Sequence, residues 1–176
     1  MPARVSGACS RHDGLNSPTL AAIALGSNLG DRDAHIRFAF ERLATLLAGL
    51  RVSSLYETDP VDVPGVQPVF LNAAAVGEAT LGPRALLDAL QAIEMERARE
   101  RPYRGAPRTL DLDLVLFGNA VIREPSLVVP HPRFRERRFV LEPLAEIAPD
   151  LRDPASSLTI AELLARLPPA PRAHGR

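Results

Sequence analysis

The order of apolar segments constrains the fold of this chain more than any other feature. Four short segments rich in apolar and β-branched residues predict strands, at 19–26, 51–58, 69–79 and 108–118. Stretches with apolar residues at helical spacing lie between the first two strands and between the last two. The order strand–helix–strand–strand–helix–strand predicts an α+β fold, the ferredoxin-like βαββαβ sandwich with an antiparallel sheet. We expect both helices on one face of the sheet, followed by C-terminal additions.

Local signals set the expected ends of the two helices. Asp31 is a suitable N-cap for the first helix, and Gly49 is a suitable stop. Between them, apolar residues recur at helical spacing: Ile36, Phe40, Leu43 and Leu47. Gly82-Pro83 predicts the start of the second helix, because proline is favoured in the first helical turn. Two more helices are expected in the C-terminal part, within RFVLEPLAEIAP and LTIAELLARL.

Length and composition predict one intracellular domain. A chain of 176 residues is long enough to bury a core, and we assign residues 19–167 to the domain. Residues 1–18 and 168–176 are expected to be disordered tails. The net charge of zero argues against nucleic-acid or membrane partners, and we expect a cytoplasmic monomer. The single cysteine, Cys9, excludes an internal disulfide and fits a reducing compartment.

The sequence contains no lysine, so every basic side chain other than histidine is arginine. A P-loop requires a lysine, and so does the Schiff base of a pyridoxal phosphate enzyme. Both classes are therefore excluded. A phosphate site in this chain must be built from arginine forks, histidine, backbone N–H groups and metal ions.

The fourth predicted strand, RTLDLDLVLFG, carries two acids. Side chains two apart on a strand share a face, so Asp111 and Asp113 point the same way, roughly 7 Å apart along the backbone. We expect Val115 and Phe117 to continue that face. The two carboxylates could simply be solvated. Alternatively, they bind Mg²⁺, which takes one or two carboxylates and completes its shell with water and phosphate oxygens.

Arginine, histidine, amide and aromatic residues surround this strand in the sequence. Arg108 leads into the acidic strand, and Arg99 lies upstream; each could be a surface charge or a bidentate phosphate ligand. His131 could be a packing histidine or a phosphate donor. Asn72 interrupts an apolar strand, and a buried amide matches the edge of a heterocycle. Phe70 and Phe139 could be core residues or the two walls of an aromatic slot.

Several motifs in this order resemble the 6-hydroxymethyl-7,8-dihydropterin pyrophosphokinases. They are GSNLGD, the S-x-Y-x-T of Ser54, Tyr56 and Thr58, FLNAA, RTLDLDLVLFG and VPHPRFRERRFVLEPLAEIAP. The resemblance spans residues 20–150. It implies a ferredoxin-like fold and an enzyme of folate biosynthesis that transfers pyrophosphate from ATP to a reduced pterin alcohol.

The resemblance also implies roles for individual residues. Asp111 and Asp113 are expected to bind two Mg²⁺ ions with ATP as co-substrate. The expected ATP-binding residues, of which the last four are also expected to be catalytic, are Gln91, Glu94, Arg99, Arg108, His131 and Arg137. The expected pterin-binding residues are Thr58, Phe70, Asn72, Asp111 and Phe139. The loop before Arg108 departs from the family pattern, so Arg101 and Arg104 receive no role, and the loops 59–68 and 99–107 are expected to act as lids.

Two other functions remain open at this point. A metal-dependent nucleotidyltransferase also combines a Gly-Ser turn with D-x-D, but more than eighty residues separate the two elements here. A non-catalytic ferredoxin-like module could bind a nucleotide or RNA, although the acids and the neutral charge argue against RNA.

Overall fold

In a computed structural model, a five-stranded antiparallel sheet forms the centre of the molecule. The described residues are 17–60, 65, 67–97 and 107–169. The strands of this sheet are β1 (Thr19–Ser27), β2 (Leu47–Val52), β3 (Tyr56–Thr58), β4 (Phe70–Ala79) and β5 (Asp111–Phe117). The main order is β2-β4-β1-β5, and β3 pairs with β4 beyond the end of β2. This is the strand order of a ferredoxin-like fold, and the predicted α+β class is confirmed.

Helices cover both faces of the sheet. The remaining elements are α1 (Arg32–Leu43), α2 (Pro83–Glu96), the hairpin β6 (Ile122–Glu124) and β7 (Leu127–Val129), a 3-10 turn (Phe134–Glu136), α3 (Arg138–Ile147) and α4 (Ile160–Arg166). α1 and α2 pack in one core cluster with Ile23 and Leu112, whereas α3 and α4 pack in a second cluster with Ala22 and Ala74. The βαββαβ unit therefore has its helices on one face as predicted, and the C-terminal helices add a third layer.

The segment after α1 differs from the prediction. α1 ends at Leu43, and Leu47 begins β2 instead of a fourth helical turn. Gly49 does not stop the helix; it lies in β2 with a φ of +59°, where the pairing register with β4 shifts. The predicted strand 51–58 is two strands, β2 and β3, because the Ser53 hydroxyl accepts the Ala74 N–H at 2.9 Å and interrupts the ladder.

A β-bulge in β5 changes the face of its last residues. Ala22 pairs with Leu116 but Ile23 pairs with Leu114, so Val115 is an extra residue. Val115 packs in the second cluster, on the face of the acids, as expected. Phe117 does not continue that face, because the bulge inverts the alternation and places it in the first cluster.

Within the described ranges, no helix is long and apolar enough to cross a membrane. The predicted tails lie outside the described residues except for 17–18 and 168–169. The domain boundaries therefore stay predictions.

Candidate active site

One row of residues crosses four strands at the end of the sheet. Tyr56 pairs with Asn72, Asn72 with Gly26, and Gly26 with Asp111. Directly paired residues of antiparallel strands project to the same face. This face also carries Asp113, which pairs with Ala24. We call it the acid face; it is the face covered further along by α3.

Gly26 leaves an opening in the middle of this row. A Cβ on Gly26 would lie 3.4 Å from Asn72 Oδ1 and 4.0 Å from Asp111 Cβ. Because neighbouring strands are about 4.8 Å apart, the backbones of Asn72 and Asp111 are separated by roughly 10 Å. The floor between an amide and a carboxylate is therefore bare backbone, which a flat ligand can approach.

The pterin-binding residues predicted on strands lie on the acid face. Asn72 is buried, and its Nδ2 donates to Thr58 Oγ1 at 2.7 Å. Phe70 pairs with Thr58 and has the parity of Asn72, so it shares their face. Thr58 thus holds the Asn72 side chain, and the amide oxygen lies beside Gly26.

The predicted metal and phosphate residues meet at the start of β5. Arg108 Nη1 donates to Asp111 Oδ2 at 2.5 Å, and both side chains are largely buried, with exposures of 20% and 19%. The guanidinium also lies 5.6 Å from the centroid of the Phe70 ring. Arg108 Nε is buried and has no hydrogen-bond partner in the described part of the chain. The arginine therefore neutralises one acid while keeping a donor available.

The bulge in β5 brings His131 to the same face. The His131 N–H donates to the carbonyl of Val115, the extra residue, at 2.9 Å. Burial and the positive charge of Arg137 lower the pKa of His131 to about 4, while Asp111 opposes and Arg133 adds to this shift. Arg137, Asp111 and Arg133 shift the pKa because their charges lie close to the His131 imidazole. At neutral pH His131 is uncharged; its Nδ1 accepts the Arg133 N–H at 3.3 Å, so Nε2 carries the proton and can donate one hydrogen bond.

The start of α3 contributes the remaining predicted residues. Arg137 is the N-cap residue of α3, and its guanidinium lies 5.5 Å from the centroid of the Phe139 ring. Phe139 packs against the second cluster, which places it on the side of the acid face. Each phenylalanine of the predicted slot thus has an arginine beside its ring.

Two predicted nucleotide-binding residues lie on α2, across the sheet from the acid face. Gln91 is exposed, whereas Glu94 is buried. Glu94 Oε1 accepts the N–H of Leu112, the residue between the two aspartates, at 2.6 Å. Glu94 therefore lies along the outer edge of β5 and fixes the backbone that presents both acids. Arg99 falls outside the described residues, as do 61–64 and 66 of the first predicted lid and 99–106 of the second.

A buried amide within the GSNLGD motif, Asn28, links the two loops. Asn28 Oδ1 accepts the Arg108 N–H at 2.8 Å, and Asn28 Nδ2 donates to Gln67 Oε1 at 3.0 Å. The Asn28 N–H also donates to the Arg108 carbonyl at 3.1 Å. This residue thus joins the end of the loop before β4 to the end of the loop before β5. In the sequence, the only indication of this role is that Asn28 is a polar residue directly after the apolar strand β1.

The S-x-Y-x-T motif has a structural explanation that the sequence did not reveal. Glu146 of α3 accepts the Ser54 N–H, the Ser54 hydroxyl and the Tyr56 hydroxyl, with the last two at 2.9 and 2.8 Å. The hydrogen bond from Tyr56 holds the pKa of Glu146 below its usual value. Thr58, the third residue of the motif, holds Asn72. The motif therefore fixes β3 to α3 and to β4.

The residues at the acid face fit a hard divalent cation that is shared with a substrate. Among the described residues, no group of three or more His, Cys, Asp or Glu side chains could enclose a metal. Asp111 and Asp113 offer carboxylate oxygens on one partly exposed face. Mg²⁺ suits such a pair, because it takes few protein ligands and fills its shell with water and phosphate oxygens.

Comparison with known proteins identifies the family. The sequence profile described as 7,8-dihydro-6-hydroxymethylpterin-pyrophosphokinase (HPPK) matches residues 22–149. The chain belongs to the HPPK family. The chain is also similar to the 2-amino-4-hydroxy-6-hydroxymethyldihydropteridine pyrophosphokinase of Pseudomonas aeruginosa, at 48% identity over 83% of this chain and 90% of the relative. The Bacillus subtilis protein of the same name is 46% identical over 78% of this chain and 83% of its own length.

Solved structures of the HPPK family share the fold. Wild-type HPPK-DHPS of Plasmodium falciparum superposes with a TM-score of 0.67 at 15% identity. The match covers 85% of this chain but 44% of that protein, so this chain spans less than half of its length. The likeness confirms the ferredoxin-like architecture.

Proposed function

We propose that this chain transfers pyrophosphate from ATP to the hydroxymethyl group of 6-hydroxymethyl-7,8-dihydropterin, releasing AMP, as a step of folate biosynthesis. Membership of the HPPK family supports the reaction. The single structural observation that carries it is the row Tyr56–Asn72–Gly26–Asp111. In this row an amide suited to a heterocycle and an acid suited to Mg–ATP flank a gap with no side chain.

Each part of the acid face has a proposed role toward one substrate. Asn72, held by Thr58, reads the edge of the pterin, and Phe70 and Phe139 flank its ring. Arg108, His131 and Arg137 bind the phosphates, together with Arg99. We also assign Gln91 and Glu94 to the nucleotide, which would then reach past the outer edge of β5, where Glu94 accepts the Leu112 N–H. Asp111 and Asp113 would hold Mg²⁺, two ions by our expectation, which when bound neutralise charge on the phosphate oxygens.

The transfer needs no covalent protein intermediate. The pterin hydroxymethyl oxygen forms a bond to the β-phosphorus, and the bond from that phosphorus to the α–β bridging oxygen breaks, so AMP leaves. We assign acceptance of the hydroxyl proton to a carboxylate oxygen of Asp113. Arg108 would exchange Asp111 for phosphate oxygen once a cation neutralises Asp111, and its Nε, which has no partner among the described residues, would supply a further donor. The arginines and the neutral His131 stabilise the developing charge.

Two further properties belong to the proposal. We propose that the enzyme works as a monomer, with small molecules as its substrates. We also place it in the cytoplasm, which the single cysteine supports. The first eighteen residues receive no role.

Product analysis tests the proposed reaction. Purified protein is incubated with ATP, Mg²⁺ and the reduced pterin alcohol, and the products are separated by chromatography and identified by ³¹P NMR. We expect AMP and a pterin pyrophosphate ester in equal amounts, and no AMP when the alcohol or the divalent cation is omitted. Release of inorganic pyrophosphate would indicate a nucleotidyltransferase instead, and absence of any turnover with substrate binding retained would indicate a non-catalytic module.

A further inference from the structure

A partly buried ion pair between Asp153 and Arg135 takes no part in the mechanism above. Asp153, in the segment after α3, is fully buried, and both of its carboxylate oxygens accept from Arg135, from Nε and Nη2, at 2.7 Å each. Asp153 also accepts the N–H groups of Ala155 and Ser156 and the Ser156 hydroxyl. Every oxygen is thus satisfied, and the carboxylate is fixed within its own turn.

Arg135 transmits this anchor to the segment that carries two proposed phosphate ligands. Arg135 lies in the 3-10 turn, and its guanidinium is 4.7 Å from the ring centroid of Phe134, which is fully buried in the second cluster. The Phe134 N–H donates to the His131 carbonyl at 3.3 Å, and the Arg137 N–H donates to the Phe134 carbonyl at 3.2 Å. The anchored turn therefore sets the backbone at both His131 and Arg137.

The charge of Asp153 also gives Arg135 a different partner from the other arginines of its segment. The segment from 131 to 138 contains four arginines, and Arg133 and Arg137 both act on His131. Asp153 holds the guanidinium of Arg135 in a bidentate pair, and Asp153 is not one of the residues of the acid face. An ion pair with a buried carboxylate is weak evidence for stability, because apolar residues of similar volume often stabilise a fold equally well. Its better use is to specify one arrangement of the turn.

We propose that Asp153 is a positioning residue for ATP, acting through Arg135 on the backbone that presents His131 and Arg137. This inference rests on the proposed function, because the two presented residues are phosphate ligands only within it. Asp153 itself is not expected to touch either substrate.

Two variants test the positioning role. Asp153→Asn keeps the volume but removes the charge that pairs with Arg135, so the KM for ATP should rise about tenfold, while the KM for the pterin alcohol changes less than twofold. The double variant Arg135→Gln with Asp153→Asn removes both charges and keeps an amide oxygen for the Ala155 and Ser156 donors, so the melting temperature lost in the single variant should recover. Its KM for ATP should stay raised, since the bidentate anchor is gone. All measurements are made well below the onset of melting of each variant.

A stability-matched control separates positioning from general weakening. Leu163→Ala truncates a buried residue of α4 in the same core cluster but leaves the Asp153–Arg135 pair intact, and its KM for ATP should equal that of the wild type. The proposal is overturned if Asp153→Asn binds ATP normally, if the double variant recovers both stability and KM, or if Leu163→Ala raises the KM equally.

A readout without turnover distinguishes this inference from the proposed function. The dissociation constant of a non-hydrolysable ATP analogue and the imidazole NMR signals of His131 are measured in wild type and in both Asp153 variants. A larger dissociation constant in the Asp153 variants than in the wild type, together with shifted His131 signals, supports the positioning role even if the wild type forms no AMP. Unchanged values in both would overturn it while leaving the proposed reaction intact.

Discussion

At the scale of single residues, the acid face depends on one position that has no side chain. Gly26 has an ordinary backbone conformation, so glycine is not needed there for the chain to turn. Its use is the space above it, between Asn72 Oδ1 and Asp111 Cβ. A methyl group at 3.4 and 4.0 Å from these atoms is in ordinary contact, whereas a longer side chain would fill the gap.

Substitution of Gly26 should therefore affect the pterin alcohol according to size. We expect Gly26→Leu to raise the KM for the pterin alcohol at least tenfold by steric exclusion. The dissociation constant of an ATP analogue should change little. Gly26→Ala is the matched control and should remain within about threefold of wild type in steady-state kinetics. A wild-type pterin KM in Gly26→Leu would contradict the proposed floor.

A second residue-scale prediction follows from the lowered pKa of His131, about 4 in the folded chain against 6.5 for the ordinary group. Between pH 6.5 and pH 4 the unfolded chain binds this proton and the folded chain does not, so stability falls as the pH falls through that window. His131→Gln should remove this contribution, about 1–2 kcal/mol after solvent screening. Urea unfolding at pH 7 and pH 4 measures the difference between the two proteins. Parallel pH dependence in wild type and variant would refute it.

At the scale of elements, α3 is tied to the edge of the sheet by a surface network that flanks the acid face. Glu146 is exposed, yet it accepts from the backbone and side chain of Ser54 and from Tyr56. Tyr56 is also the strand neighbour of Asn72. The network therefore holds the helix that carries Phe139 against the strand that supports Asn72.

Loss of the Tyr56 hydroxyl should loosen this connection. Tyr56→Phe removes one hydrogen bond to a carboxylate at the surface, so the free energy of unfolding should fall by about 1 kcal/mol. The KM for the pterin alcohol should rise a few-fold, and the KM for ATP should not. Arg84→Ala serves as the control, because its bonds to Glu124 and Ser126 fix α2 to the distant hairpin. Equal kinetic effects in both variants would contradict a link between β3 and the pterin site.

Periodicity predicted most elements correctly and failed where side chains from distant segments decide the backbone. The alternation in β5 correctly placed Asp111, Asp113 and Val115 on one face, but the bulge that reverses Phe117 cannot be read from alternation. Leu47 has helical spacing from Leu43 and still begins a strand, because pairing with Ala79 is a tertiary interaction. Glu146 and Asp153 escaped detection for the same reason: their partners lie about 92 and 18 residues away.

At the scale of the whole molecule, three layers leave one end of the sheet for chemistry. The first cluster unites α1 and α2 with the sheet, and the second unites α3 and α4 with its other face. The second cluster includes Ala24 and Ala74 but ends before Gly26 and Asn72, where polar residues take over. The apolar layer therefore supports the residues around the acid face.

The expected monomer is a property at this scale. Among the described residues, the exposed large apolar side chains come from different parts of the sequence: Leu29, Val52, Val69, Met95, Val121 and Val128. We expect sedimentation equilibrium to give a single species of 19.0 kDa at micromolar concentration. A concentration-dependent mass of twice this value would refute the expectation.

The central claim is that pyrophosphoryl transfer requires the acids of the acid face, and substitution of Asp113 tests it most directly. AMP formation from ATP, Mg²⁺ and the reduced pterin alcohol is measured for Asp113→Asn and for Glu78→Gln, a control at the opposite end of the same strand face as Asn72. We predict that Asp113→Asn lowers kcat at least a hundredfold with its melting temperature retained, and that Glu78→Gln keeps wild-type activity. Wild-type AMP formation by a folded Asp113→Asn would contradict the claim.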